Sequence, residues 1–149
     1  MELNSLSAIS PIDGRYHSKT SQLGPYFSEF GLIRYRVLVE VEYFISLVES
    51  GIEPLADFPK ETFSALTSIY QNFTESDALW IKETEKTTNH DVKAVEYFIR
   101  AALDRLGRND LSELVHFACT SEDINNLSYA LTVSEAVSSV WLPRARDLS

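Results

Sequence analysis

Three short clusters hold residue types that grip anions and move protons. In Asp13-Gly14-Arg15-Tyr16, glycine permits a tight backbone path and arginine offers a planar fork of donors suited to phosphate or carboxylate. Tyr16 adds a hydroxyl on a rigid apolar body. Thr87-Thr88-Asn89-His90-Asp91 stands where an irregular segment enters a helix, so free backbone N–H groups and the helix dipole favour an anion there. His90 can exchange a proton or make a hydrogen bond near neutral pH. Thr120-Ser121-Glu122-Asp123 opens another helix, with two hydroxyls and free amides able to hold a carboxylate and acids able to orient a base or a ribose hydroxyl. Each cluster also has a plain structural reading. The first can be a surface turn with Arg15 paired to an acid. The second can be a cap at Thr88 or Asn89 with Asp91 in the first turn, and the third a cap with an acidic first turn. Spacing alone leaves both readings open. His17 has no comparable setting, and His116, beside Phe117 in a stretch of helical character, reads as structural. Histidine and cysteine are too few and too badly spaced for a metal site, and no glycine-rich phosphate loop occurs.

The elements that must position these clusters are helices. As far as about Leu23 the chain has no helical period, and Pro11, Gly14 and Gly24 punctuate it. This predicts an extended arm with a turn at Pro11-Ile12-Asp13-Gly14. From Pro25, apolar residues Phe27, Phe30, Leu32, Tyr35, Val39, Phe44 and Leu47 predict a helix stopped by Gly51. A connector from Ile52 to Pro59 leads to a helix over about Lys60 to Phe73. Thr74 then reads as an N-cap, with Glu75 and Asp77 in the first turn of a helix reaching about Glu85. Val92, Val95, Phe98, Ala102 and Leu106 predict another helix, closed by Gly107. Asn109 or Asp110 is expected to cap a short helix through Val115. Ile124, Leu127, Leu131 and Val137 begin a long one, which Pro143 should kink rather than end. No alternation persists long enough for a strand, and there is no internal repeat, so the fold class is all-α. WLPRARDLS ends within helix-like sequence without a glycine stop, which gives the expectation that the chain is a piece of something larger.

Composition narrows the function classes. With 149 residues, 44% apolar and 11% aromatic, the chain can bury a modest core and escape disorder. No apolar run is long enough to span a bilayer, and MELNSLSAIS lacks the basic start and apolar run of a signal peptide. The single cysteine, Cys119, excludes an intramolecular disulfide and suits a reducing cytoplasm. A net charge of −9 argues against a nucleic-acid partner, whose phosphates need a basic face; surplus acid reads as solvated surface.

SPIDGRY at 10–16, KTTNHDVKAVEYF at 86–98 and HFACTSEDINNLS at 116–128 resemble, in order and spacing, the N-terminal part of the adenylosuccinate lyase family, a branch of the fumarase/aspartase superfamily. GLIRYRVLVEV and VWLPRARDL fit as well, so the resemblance spans the chain. Thr120-Ser121-Glu122-Asp123 matches the first of that superfamily's three signature regions. The resemblance implies β-elimination of fumarate from adenylosuccinate to give AMP. It also implies elimination from succinyl-aminoimidazole-carboxamide ribotide, earlier in purine biosynthesis. In this chemistry a base removes a proton beside a carboxylate, an acid protonates the leaving nitrogen, and fixed donors stabilise the carbanion. No metal or organic cofactor is implied.

By the same matching, Arg15 and Tyr16 would hold the substrate phosphate. Asn89, His90 and Asp91 would line the nucleotide and succinyl region, with His90 in an auxiliary catalytic role. Thr120 and Ser121 would bind a succinyl carboxylate. The family's principal acid, a histidine of the second region, and its catalytic serine, on a mobile loop of the third, fall outside these residues, so Ser121 is not that serine. The family is a homotetramer whose sites draw on three subunits. Residues 1–110 would be its N-terminal helical domain with the arm, and 111–149 the start of its central helical bundle. The chain alone is therefore expected to be inactive. Argininosuccinate lyase and fumarase are not expected to join the GRY arm with TTNHD. The uncapped end weighs against a stand-alone helical interaction domain.

Overall fold

The computed structural model describes residues 6–148. The first five positions of the leader reading and the chain end at Ser149 therefore lie outside the described residues. Among those described, every regular element is helical and there is no strand. None of the helices is long and apolar enough to cross a membrane.

The arm is not extended. Turns lead into α1 (His17–Thr20), a 3₁₀ turn (Ser21–Leu23) and α2 (Gly24–Phe27). Without one long apolar face, this stretch is built from local bonds instead. The expected turn is present: the Gly14 N–H donates to the Ser10 carbonyl and the Tyr16 N–H to the Pro11 carbonyl, both at 2.9 Å.

The spine is α3 (Glu29–Glu49). It begins at Ser28 rather than continuing from Pro25. Extended at φ −78, ψ 165, Ser28 breaks the helical path, accepts the Gly31 N–H at 3.1 Å and donates to the Gly24 carbonyl at 2.6 Å. The corner is tight: a Cβ on Gly31 would lie 2.7 Å from the Pro25 carbonyl oxygen. Gly51, at φ +70, stops the helix as expected.

Next comes α4 (Phe63–Gln71), entered through a 3₁₀ turn at Lys60–Thr62. Thr74 caps α5 (Glu75–Thr88) by a reciprocal capping box: its N–H donates to the Asp77 carboxylate at 2.8 Å, and its hydroxyl accepts the Asp77 N–H. This helix runs three residues past the expected end. After α6 (Asp91–Arg105), Gly107 turns the chain at φ +73. Residues Asn109–Leu114 then form a 3₁₀ helix in which Asn109 and Asp110 lie inside the element; Arg108 occupies the cap position. His116 is not in a helix either. It and Ala118 take left-handed backbone at φ +65 and +59, in a bent link to α7 (Ser121–Ala136).

The final helix passes through a π-helical stretch, Val137–Trp141, into α8 (Leu142–Arg146). Pro143 lacks an N–H and its ring would crowd the carbonyl four residues back; widening the turn just before it lets the helix continue. The expectation of a helix that survives Pro143 holds.

Two cores hold these helices together. The larger joins Val37, Val41 and Phe44 of α3 to Leu66 of α4, Ile81 of α5 and Val95, Ile99 and Leu103 of α6. Full burial of each such side chain contributes about 1.5–3 kcal/mol. Phe73 adds an edge-on contact with Phe98, centroids 5.8 Å apart. The smaller core, Val39, Val92 and Ile124, pins the first turns of α6 and α7 against the middle of α3. That junction sets the geometry described next.

Candidate functional site

Two helix starts meet at this junction. After Thr88 the chain reverses in two residues. Asn89 takes the left-handed conformation (φ 50, ψ 31) that asparagine tolerates better than most, and His90 is extended (φ −153, ψ 120). The irregular segment is thus shorter than expected, and the cap of α6 is His90 itself rather than Thr88 or Asn89. Its Nδ1 accepts the Lys93 N–H at 3.1 Å. The Thr88 hydroxyl braces the corner, donating to the His90 carbonyl at 3.0 Å and accepting the His90 N–H at 3.3 Å.

With Nδ1 used as an acceptor, Nε2 is the ring nitrogen assigned the proton. Nε2 lies 3.1 Å from the Ser121 hydroxyl oxygen, in the first turn of α7. Ser121 accepts from His90, so its own hydroxyl proton is available to a ligand. Thr120, extended at φ −108, ψ 161, donates its N–H to the Asp123 carboxylate at 2.8 Å, so Asp123 serves as a cap. The outcome is two convergent N-termini joined by one side-chain hydrogen bond, with the His90 side chain 47% exposed. Such a place favours an anion.

Beneath it lies Arg36, which the sequence reading did not single out as a site residue. Its guanidinium is buried, with Nη2 2.6 Å from Asp91 Oδ2, and its Nε donates to Asn125 Oδ1 at 2.9 Å. One side chain of α3 therefore ties the first turn of α6 to the N-terminal part of α7. Asp91 spends its other oxygen on the Val92 N–H at 2.8 Å, so both its oxygens are bound within the protein. Partial burial pushes this carboxyl up, but the Val92 N–H and the Arg36 guanidinium outweigh it and hold Asp91 below the usual carboxylate range. The available signal was an arginine in an apolar helical run, since a guanidinium on a buried face requires a carboxylate or carbonyl partner.

Arg15 and Tyr16 lie elsewhere. Both are exposed, the guanidinium stacked 4.8 Å from the Tyr16 ring centre. No hydrogen bond or ion pair among the described residues joins them to His90 or Ser121. The arm folds along the later part of α7 and onto α8: Tyr26 and Phe27 share a shallow pocket with Tyr129 and Thr132 of α7, and Arg144 of α8 donates to Gln22 at 3.4 Å. Thr132 is eleven residues beyond Ser121, about 16 Å along the helix. A separate cleft of the arm is lined by Asp13, His17, Thr20, Phe27 and Ser28 and includes none of the TTNHD or TSED residues. Among the described residues no three histidines, cysteines or carboxylates group so as to hold a metal ion.

The family profile described as Lyase matches residues 14–149. The chain belongs to the lyase family. Among its curated relatives in that family, the adenylosuccinate lyase of Vibrio cholerae is 51% identical over 152 residues. Those of Escherichia coli K12 and Dictyostelium discoideum are 48% identical over 150 and 49% over 151 residues. Each alignment takes in 99% of this chain, which spans about a third of the length of these relatives. The family resemblance carried by the three motifs thus extends over nearly every residue, including the Arg36 helix and the region of the π turn.

Proposed function

We propose that this chain supplies part of the substrate grip of an adenylosuccinate lyase, acting on adenylosuccinate and on succinyl-aminoimidazole-carboxamide ribotide. The observation that carries the proposal is the hydrogen bond between His90 and Ser121, which joins two anion-favouring helix starts into one surface. A succinyl carboxylate seated there accepts the Ser121 hydroxyl proton and the Ser121 and Glu122 amides at the start of α7, since the Val92 and Lys93 amides of α6 are already taken by Asp91 and His90. The same donors stabilise the charge that builds up when the proton beside the carboxylate leaves. Thr120 and Asn89 flank that seat, while His90 orients Ser121 and serves as an auxiliary proton-handling group. Asp91 holds the α6 start in place through Arg36. Arg15 and Tyr16 hold the phosphate, from an arm that other subunits bring within reach. The elimination needs an acid and a base and proceeds without metal or organic cofactor.

Residues 1–110 act as the N-terminal domain and 111–149 begin a central helical bundle. The complete protein is a cytoplasmic homotetramer that binds neither nucleic acid nor membrane. Its principal acid and base come from outside this chain. The test is fumarate release from adenylosuccinate by the complete reading frame carrying His90→Gln, Ser121→Ala or both. Each single variant should lose roughly tenfold or more in kcat/KM, and the double variant should be little worse than either, because the two residues act as a unit. Unchanged turnover in both single variants, or losses that multiply in the double, would contradict the proposal.

A further inference from the structure

Arg36, Glu40 and Tyr43 recur at four- and three-residue spacing on α3 and so share one face. Arg36 reaches Asp91 and Asn125. The Tyr43 hydroxyl donates to the Phe117 carbonyl at 2.9 Å. Between them Glu40 is wholly buried, with Oε1 2.5 Å from Nδ1 of His116 and Oε2 without a partner among the described residues. Burial pushes the Glu40 carboxyl up, opposed by His116. A buried carboxylate with one empty oxygen is costly, and a leucine of similar volume would fill the place without that cost. Stability does not account for this glutamate.

What it holds does. Glu40 and Tyr43 grip consecutive residues, His116 and Phe117, of the link whose His116 and Ala118 are both left-handed without being glycine. Such backbone persists only where its surroundings enforce it. The link closes on itself through the Cys119 N–H donating to the His116 carbonyl at 3.2 Å, and the next residues are Thr120 and Ser121. Released, His116 and Ala118 would relax to ordinary backbone angles and carry Ser121 away from His90.

We infer that Glu40 is a positioning residue for the Thr120–Ser121 helix start, acting through His116. The inference rests on the proposed function for its kinetic reading and on geometry alone for a second one. In the complete protein, Glu40→Leu removes the grip on His116, Glu40→Gln keeps a hydrogen-bonding partner for its Nδ1, and Tyr43→Phe releases Phe117. Wild-type fumarate release is measured first, since its absence would overturn the proposed function rather than this inference. Glu40→Leu should lower kcat/KM roughly tenfold or more, well below its melting temperature, as expected for a misplaced site group. Glu40→Gln should recover to within about threefold of wild type by keeping the hydrogen bond. Tyr43→Phe should fall several-fold with little change in melting temperature. Wild-type turnover in Glu40→Leu, or equal damage in Glu40→Gln and Glu40→Leu, would overturn the inference. Should Glu40→Leu not fold, an unchanged kcat/KM in Tyr43→Phe would overturn it. The second reading needs no turnover: exchange of the His90 ring proton, followed by NMR, should be slower in wild type than in Glu40→Leu and Tyr43→Phe. Equal exchange in all folded forms would overturn it as well.

Discussion

At Asp91 three demands meet in one carboxylate: it stands in the first turn of α6, caps the Val92 N–H and pairs with buried Arg36. Because its pKa lies below the ordinary aspartate value of about 4, its contribution to stability is fully present above that pH. The contribution is lost as pH falls through the lowered value. Urea denaturation followed against pH should therefore show wild type losing stability below about pH 4 beyond the loss in Asp91→Asn. Parallel curves would show that the pair does not titrate with folding. Removing the cation is harsher: Arg36→Met strands Asp91 and Asn125, and should cost about 2–3 kcal/mol in the same experiment, tempered by the partial exposure of Asp91. The clusters around His90 and Ser121 were legible because polar residues at a helix start advertise themselves locally. Arg36 was not, because its partners lie 55 and 89 residues away and only the folded chain brings them near. The grip of Glu40 on His116, 76 residues on, escaped for the same reason.

At the scale of elements, helix existence followed from apolar spacing, whereas the corners depended on individual backbone bonds. The apolar pattern runs through Phe27 and Phe30 without a break, yet Ser28 ends one helix and caps the next. The sign of this corner is Gly31, whose missing side chain lets the Pro25 carbonyl approach. Gly31→Ala should force the corner apart and cost about 1–3 kcal/mol, measured by thermal melting. An unchanged melting temperature would mean that α2 moves freely on α3. Likewise His90 displaced Thr88 and Asn89 as the cap of α6 because α5 runs on through Thr88. The 3₁₀ helix at Asn109–Leu114 and the bent link after it lacked the periodicity that would have revealed them.

Across the whole molecule, Tyr129, Val133, Val137 and Trp141 lie exposed at four-residue spacing along the last long helix. Our proposal covers this stripe with other parts of a helical bundle. Sedimentation of the complete protein should accordingly give a tetramer, and Val133→Asp a smaller species; a monomeric wild type would contradict that assembly. The same proposal assigns substrate grip to this chain and the principal acid and base to residues beyond it. The direct measurement is fumarate release from adenylosuccinate by the purified 149-residue chain and, in parallel, by the complete protein. Release by the complete protein and none by the chain alone is the expected result. Fumarate released by the chain alone, or none by the complete protein, would contradict it.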